Sequence, residues 1–178
     1  VDTVLPTIGF KKGITHKASP HRRAAFEGAA RETIGLLYNH PSVCYYTIFN
    51  EGWGQFEADE TYVVLKALDP SRVWDTTSGW FWETGSDVQS EHIYFKKINI
   101  KPWGDRPVVL SEFGGYAFAM PGHLACEKEF GYQSYRSKEE LTANYVRLWE
   151  SEIHPNVEKG MCSTVYTQTS DIEEEING

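Results

Sequence analysis

The stretch that most constrains this chain is Val43-Cys44-Tyr45-Tyr46-Thr47-Ile48-Phe49, which runs straight into Asn50-Glu51-Gly52-Trp53. Its residues are mostly β-branched, aromatic or small and apolar, and turn residues bound it on both sides. That pattern predicts a strand buried on both faces. A carboxylate at the last step of such a strand lies where α/β enzymes keep their chemistry. Glu51 is accordingly the first candidate functional residue.

The rest of the chain alternates in the same style. After an irregular lead-in over 1–20, Phe26, Ala30, Ile34 and Leu37 fall on one face of a helix that ends near Asn39, with Ser19-Pro20 as its start signal. A second helix is predicted over 57–68, with Val64, Leu65 and Leu68 inward, and a third over 138–150, with Leu141, Tyr145 and Leu148 on one face. Further strands are predicted at 73–77, 88–94, 107–115 and 161–167, and a Gly- and aromatic-rich loop from 114 to 135. Strand–helix alternation argues for parallel βα units. About five such units are present, where a closed eight-stranded barrel takes ~200–250 residues. The expected fold is therefore α/β: an incomplete (β/α)8 TIM barrel holding strands 4–8, with residues 1–178 as one truncated domain.

Composition narrows the function. A net charge of −8 argues against nucleic acid, whose phosphates need a basic footprint. No apolar run is long enough to span a membrane. Cys44, Cys126 and Cys162 are odd in number and lack C-x-x-C spacing, so they make neither a disulfide framework nor a zinc site. Cys44 and Cys162 are expected to act as small hydrophobes inside buried strands. Aromatic content is high at 14%, which fits large core residues or a cleft that stacks on sugar rings. The start on Val1-Asp2-Thr3 reads as a fragment boundary, any targeting signal lying upstream. The compartment reading leans to the cytoplasm.

A second carboxylate gives Glu51 a partner. Pro107-Val108-Val109-Leu110-Ser111-Glu112-Phe113-Gly114-Gly115 is again an apolar strand that ends in a carboxylate and a turn. In a barrel, the ends of two such strands would oppose each other over a pocket. Paired carboxylates are what glycoside hydrolysis needs, one held protonated for the leaving oxygen and the other ionised. A separation of about 5–5.5 Å gives retention, and about 6.5–9.5 Å inversion. Read singly, either Glu is a strand-end carboxylate satisfied by backbone or Arg.

The segments Asn39-His40-Pro41-Ser42-Val43 and Ile48-Phe49-Asn50-Glu51-Gly52-Trp53-Gly54-Gln55 together resemble the acid/base region of glycoside hydrolase family 2. The 107–115 strand resembles that family's nucleophile strand, and Tyr166-Thr167-Gln168-Thr169-Ser170-Asp171 onward resembles its last barrel strand. The resemblance runs from residue 1 to 178 and implies a retaining, β-galactosidase-like hydrolase acting on a carbohydrate β-glycoside. It implies Glu51 as the general acid/base and Glu112 as the nucleophile. It also implies Asn50 as a ligand of the sugar 2-hydroxyl, and His92 and Tyr94 beside the nucleophile. Trp53 and Trp80 lie in strand-end loops where they could stack on sugar, and Gln168 stands where some relatives carry an aromatic residue. No metal or cofactor is implied, since the Glu-x-His pair by which some relatives hold Mg²⁺ does not occur in the corresponding loop.

Two further expectations follow from an open barrel: the isolated piece should be inactive, and it should self-associate through exposed barrel edges. The acidic run Glu173–Glu175 is separately expected to begin a solvated helix. Trp74 and Trp149 are expected in the core. The alternative reading is a non-catalytic carbohydrate-binding or scaffold barrel. A metal hydrolase using the same carboxylates is a third, weaker class, because no His lies within a few residues of either.

Overall fold

The computed structural model describes residues 17–125 and 129–178. The lead-in up to residue 16, with His16, and also Cys126 lie outside the described residues. The chain divides into two compact units, one ending at Ser90 and the other running from Glu91 to Gly178.

In the first unit, helix α1 (Pro20–Leu37) begins where expected, because the Ser19 side chain accepts a hydrogen bond from the Arg22 amide and Pro20 fits the first turn. Strand β1 (Tyr45–Asn50) follows, then helix α2 (Ala58–Lys66) and strand β2 (Val73–Ser78), with β1 and β2 paired in parallel. The 26/30/34 spacing buries Ala30 and Ile34 and lays Phe26 against the core. Phe26, Phe49 and Phe56 form a three-ring cluster with centroids 5.3–5.4 Å apart. Ring contacts of this kind add about 0.5–1.5 kcal/mol each beyond area burial. On α2 the buried face is Ala58, Thr61 and Leu65.

Arg72 ties the chain segments of this unit together. Its guanidinium donates to the carbonyls of Val43 (2.9 Å) and Tyr38 (2.6 Å) and to the buried Asp69 carboxylate (2.6 Å). One side chain thereby fixes the α1–β1 connection to the turn between α2 and β2. Trp74 is in the core, as expected, with its indole N–H donated to the Asp69 carbonyl.

Strand β3 (Gln89–Ile93) carries the chain from the first unit into the second, and β4 (Val108–Gly114) lies between β3 and β7 (Met161–Thr167) in a three-stranded sheet. Strands β4 and β7 are parallel, with Phe113 opposite Tyr166 and Gly114 opposite Thr167. Two short strands, β5 (Tyr116–Ala117) and β6 (Gln133–Ser134), pair with each other inside the loop predicted over 114–135. Helix α3 (Lys138–Leu148) is capped by Ser137, which accepts from the Glu140 amide, and then widens into a π-helical turn over Trp149–Ile153. A last turn, α4 (His154–Val157), precedes β7. Asn156 is buried and fully engaged: it accepts from the Ile100 amide and donates to the Ile98 and Glu152 carbonyls. It holds the 98–100 segment to the helix where no regular sheet or helix could. The second core gathers Val108, Leu110 and Phe113 of β4 with Leu148, Ile153 and Met161.

The expected incomplete TIM barrel is not what the chain forms. Among the described residues the strands make three small sheets, of two, three and two strands, in a mixed α/β arrangement with no barrel. The alternation fails at two steps, since no helix separates β2 from β3 or β3 from β4. A barrel wall needs a covering helix after each strand, and those two connections supply only loop.

Three finer expectations are also corrected. Strand β1 buries only Ile48 and Phe49, and β7 only Met161, so neither is covered on both faces. Cys44 and Cys162 are consequently exposed, not core hydrophobes. Residues Glu173–Glu175 lie in a turn closed by Ile172–Glu175 backbone bonds, and no helix starts there. No described helix is long and apolar enough to cross a membrane.

Candidate functional site

The predicted site residues fall into one group in each unit. In the first, Asn50 ends β1, and the chain turns at once: the Trp53 amide donates to the Asn50 carbonyl (2.8 Å) and the Glu51 amide to the Ser78 carbonyl at the end of β2 (2.9 Å). Glu51 takes a left-handed backbone, φ 52°, and Gly52 follows at φ 77°. For a residue with a Cβ that region costs roughly 1–2 kcal/mol. A Cβ on Gly52 would lie 2.5 Å from the Phe81 ring, so glycine is needed there for two reasons. Trp53 is exposed to 42% and Trp80 is half-buried, so both rings keep a face near the surface of this unit.

The loop beyond Trp80 is held from below. Gln55 donates to the Phe81 carbonyl and to Glu83, both at 3.0 Å, while Asp59 accepts from the Gly85 amide at 2.6 Å and from the Thr84 side chain. Asp75 accepts from Tyr45 and from Ser90, at 2.9 Å each. Burial alone would raise the pKa of the Asp87 carboxyl, yet hydrogen bonds from Lys66, Tyr62 and the Trp74 amide outweigh it and hold the group below the ordinary carboxylate range.

In the second unit two predicted residues, His92 and Tyr94, converge on the carboxylate of a third, Glu112. Glu112 is the fifth residue of β4, and its side chain is 32% exposed. The Tyr94 hydroxyl donates to Glu112 Oε2 over 2.5 Å, and Nδ1 of the fully buried His92 imidazole stands 3.4 Å from the same oxygen. His92 lies on β3, beside β4. Strand alternation then explains the His-x-Tyr spacing, since residues two apart project to one face. Burial, followed by the Glu112 contact, pushes the Tyr94 phenol well above its ordinary pKa, so it stays a donor.

Two members of this cluster carried no sequence signal of their own. Thr167 ends β7, and its Oγ1 lies 2.8 Å from the Tyr94 hydroxyl. The Tyr132 ring stacks on the Tyr94 ring with centroids 3.6 Å apart. The adjacent glycines did hint at close approach. A Cβ on Gly114 would come within 2.2 Å of the Tyr166 ring, and one on Gly115 within 2.2 Å of the Tyr132 ring. Gln168 is tied elsewhere: its amide side chain donates to Asn177 Oδ1 at 2.7 Å and its backbone N–H to the Asn177 carbonyl. That pairing anchors the C-terminal segment to the end of β7.

What these groups define is a mixed α/β chain with one carboxylate just past the end of β1 and another within β4, the second hydrogen-bonded by Tyr94 with His92 close by. Comparison with protein-family models and with curated proteins returns no match.

Proposed function

We propose that this chain acts in the hydrolysis of β-glycosides with retention of configuration. The expectation of an inactive piece rests on an open barrel, which the described residues do not form. In the first step a Glu112 carboxylate oxygen forms a bond to the anomeric carbon as the bond to the leaving oxygen breaks, and Glu51 gives that oxygen its proton. In the second, Glu51 takes a proton from water, which cleaves the glycosyl ester and releases Glu112. Asn50, next to Glu51, is assigned to the sugar 2-hydroxyl. The resemblance of the 48–55 and 107–115 segments to glycoside hydrolase family 2 supports these roles, with a β-galactoside as the first substrate to try.

The observation that carries the reading is the Tyr94–Glu112 hydrogen bond of 2.5 Å, within the range of bonds from a hydroxyl to an ionised oxygen. A nucleophilic carboxylate must be ionised and must point one lone pair at carbon. A short bond from a buried phenol serves both needs, because it favours the charged form and fixes the carboxylate plane.

A 2-deoxy-2-fluoro-β-glycosyl fluoride tests this directly. Fluoride leaves without a proton, so labelling needs the nucleophile and not the acid, and the C2 fluorine lets the ester accumulate. Offered in galacto, gluco and manno forms, it should leave one fluorosugar on the peptide that contains Glu112, and none in Glu112→Gln. Sugar that binds reversibly with no adduct in any of the three forms would favour the carbohydrate-binding alternative.

A further inference from the structure

The hydrogen-bond directions around Tyr94 can be fixed by counting protons. An ionised carboxylate only accepts, and a phenol has one proton to give. The Tyr94 proton therefore goes to Glu112 Oε2 across 2.5 Å. The Tyr94 oxygen is left with lone pairs alone, so across the 2.8 Å contact the donor must be the Thr167 hydroxyl. Both ends of this relay are held by the fold. The Thr167 carbonyl accepts the Gly115 amide at 2.8 Å, which fixes the end of β7 against the residues just after Glu112. The Tyr94 ring is held flat by Tyr132.

We propose that Thr167 is a positioning residue for the nucleophile: its hydroxyl donates to Tyr94 and so commits the Tyr94 proton to Glu112. This role rests on the hydrolase reading. Without the Thr167 donor, the Tyr94 hydroxyl can rotate to accept from water and give its proton elsewhere. With it, accepting one hydrogen bond strengthens the bond donated, by roughly 10–30% where such chains have been treated. The 166–171 segment is singled out for its resemblance alone, which gives Thr167 no role; Thr167 acts only through Tyr94.

Thr167→Val keeps the shape and removes the donor, and Thr167→Ser keeps the donor. Labelling of Glu112 by the fluorosugar fluoride should slow roughly three- to tenfold in Thr167→Val, the worth of one hydrogen bond, and stay near wild type in Thr167→Ser. The fall should be in the maximal labelling rate, with the reagent concentration at half-maximal rate unchanged. Thr167→Ala serves if Thr167→Val does not fold. A second readout needs no sugar: a proton resonance downfield of the amides, assigned by its loss in Tyr94→Phe, should move upfield in Thr167→Val and hold in Thr167→Ser. Equal labelling rates and an unmoved resonance in Thr167→Val overturn the role of Thr167 while leaving the hydrolase reading intact. No adduct in the wild-type protein removes that reading, and the positioning role with it, even where the resonance responds.

Discussion

The Tyr132 ring lies flat on the Tyr94 ring, with centroids 3.6 Å apart and planes 9° from parallel. Aromatic pairs left to themselves settle at about 4.5–7 Å in offset or edge-on arrangements. Here the backbone sets the spacing, since the Tyr132 amide donates to the Gly115 carbonyl at 3.0 Å and Gly115 has no side chain to hold the ring away.

Gly115→Ala should therefore damage the second unit from outside the chemistry. At φ 63° the new Cβ would be strained and would meet the Tyr132 ring at 2.2 Å. A loss of about 2 kcal/mol or more is expected in urea denaturation, from the left-handed backbone and the collision together. The near-UV tyrosine signal should weaken with it. A wild-type midpoint and spectrum would show that the stack is not what holds Tyr94.

Tyr94→Phe removes the charge-assisted bond to Glu112 and keeps the ring. Such bonds contribute about 1.5–3 kcal/mol, so Glu112 labelling should slow roughly 10–100-fold. Stability should fall by no more than the same amount of free energy, because the stacked ring remains. The measurement is the labelling rate at saturating reagent alongside a thermal melt.

On the alkaline side the second unit should lose stability early. Burial raises the phenol pKa values of Tyr94 and Tyr135 and pushes Tyr166 up to about 12. The unfolded chain titrates near ~10, so the contribution of these groups is complete below that pH. It is lost as pH rises toward the folded values. Tyr166→Phe should flatten the fall between about pH 10 and 12. An unchanged slope would remove Tyr166 from this account.

The first unit should fail at the other end of the scale. Burial works to raise the Asp69 carboxyl, but hydrogen bonds from Ser71 and the Arg72 guanidinium prevail and hold it below the ordinary range. Asp87 is depressed in the same way. Folded values below about 3.9 mean that the stabilisation is full above that pH and is lost as pH falls through the lower folded values. Arg72→Ala would leave Asp69 buried without its cation and the Val43 and Tyr38 carbonyls without this donor, and should cost about 3–5 kcal/mol at neutral pH. A loss under about 1 kcal/mol in equilibrium unfolding, the size of a surface ion pair, would contradict the tie described for Arg72.

Local structure was legible where one face decided it. The 26/30/34 spacing placed α1 because a helix with three apolar residues in register has one way to bury them. The consecutive apolar residues Val108, Val109 and Leu110 placed β4, and all three are buried. The barrel was not legible, although the strands were. Its inference needed a helix after every strand, and residues 79–88 and 94–107 are tied down instead by side chains such as Asp59, Asp87 and Asn156, which leave no periodic trace. At the site, Glu112 is singled out by its apolar strand, while His92 and Tyr94 are named only through the family resemblance; the structure brings the three together. Thr167 and Tyr132 were not legible, because their contacts are made across strands and from a loop, at sequence separations no local pattern reports. The tie of Gln168 to Asn177, nine residues on in the segment after β7, likewise left no local pattern.

The left-handed backbone at Glu51 sets stability against chemistry at a single position. Glycine would relax φ 52° and remove the side chain that the proposed mechanism needs to move a proton. Glu51→Gly should raise the unfolding free energy of the first unit by up to about 1 kcal/mol, the left-handed cost less the extra entropy glycine gives the unfolded chain. A chain selected only to stay folded would discard this glutamate. Its presence there is a cost that the proposed turnover gives a reason to bear.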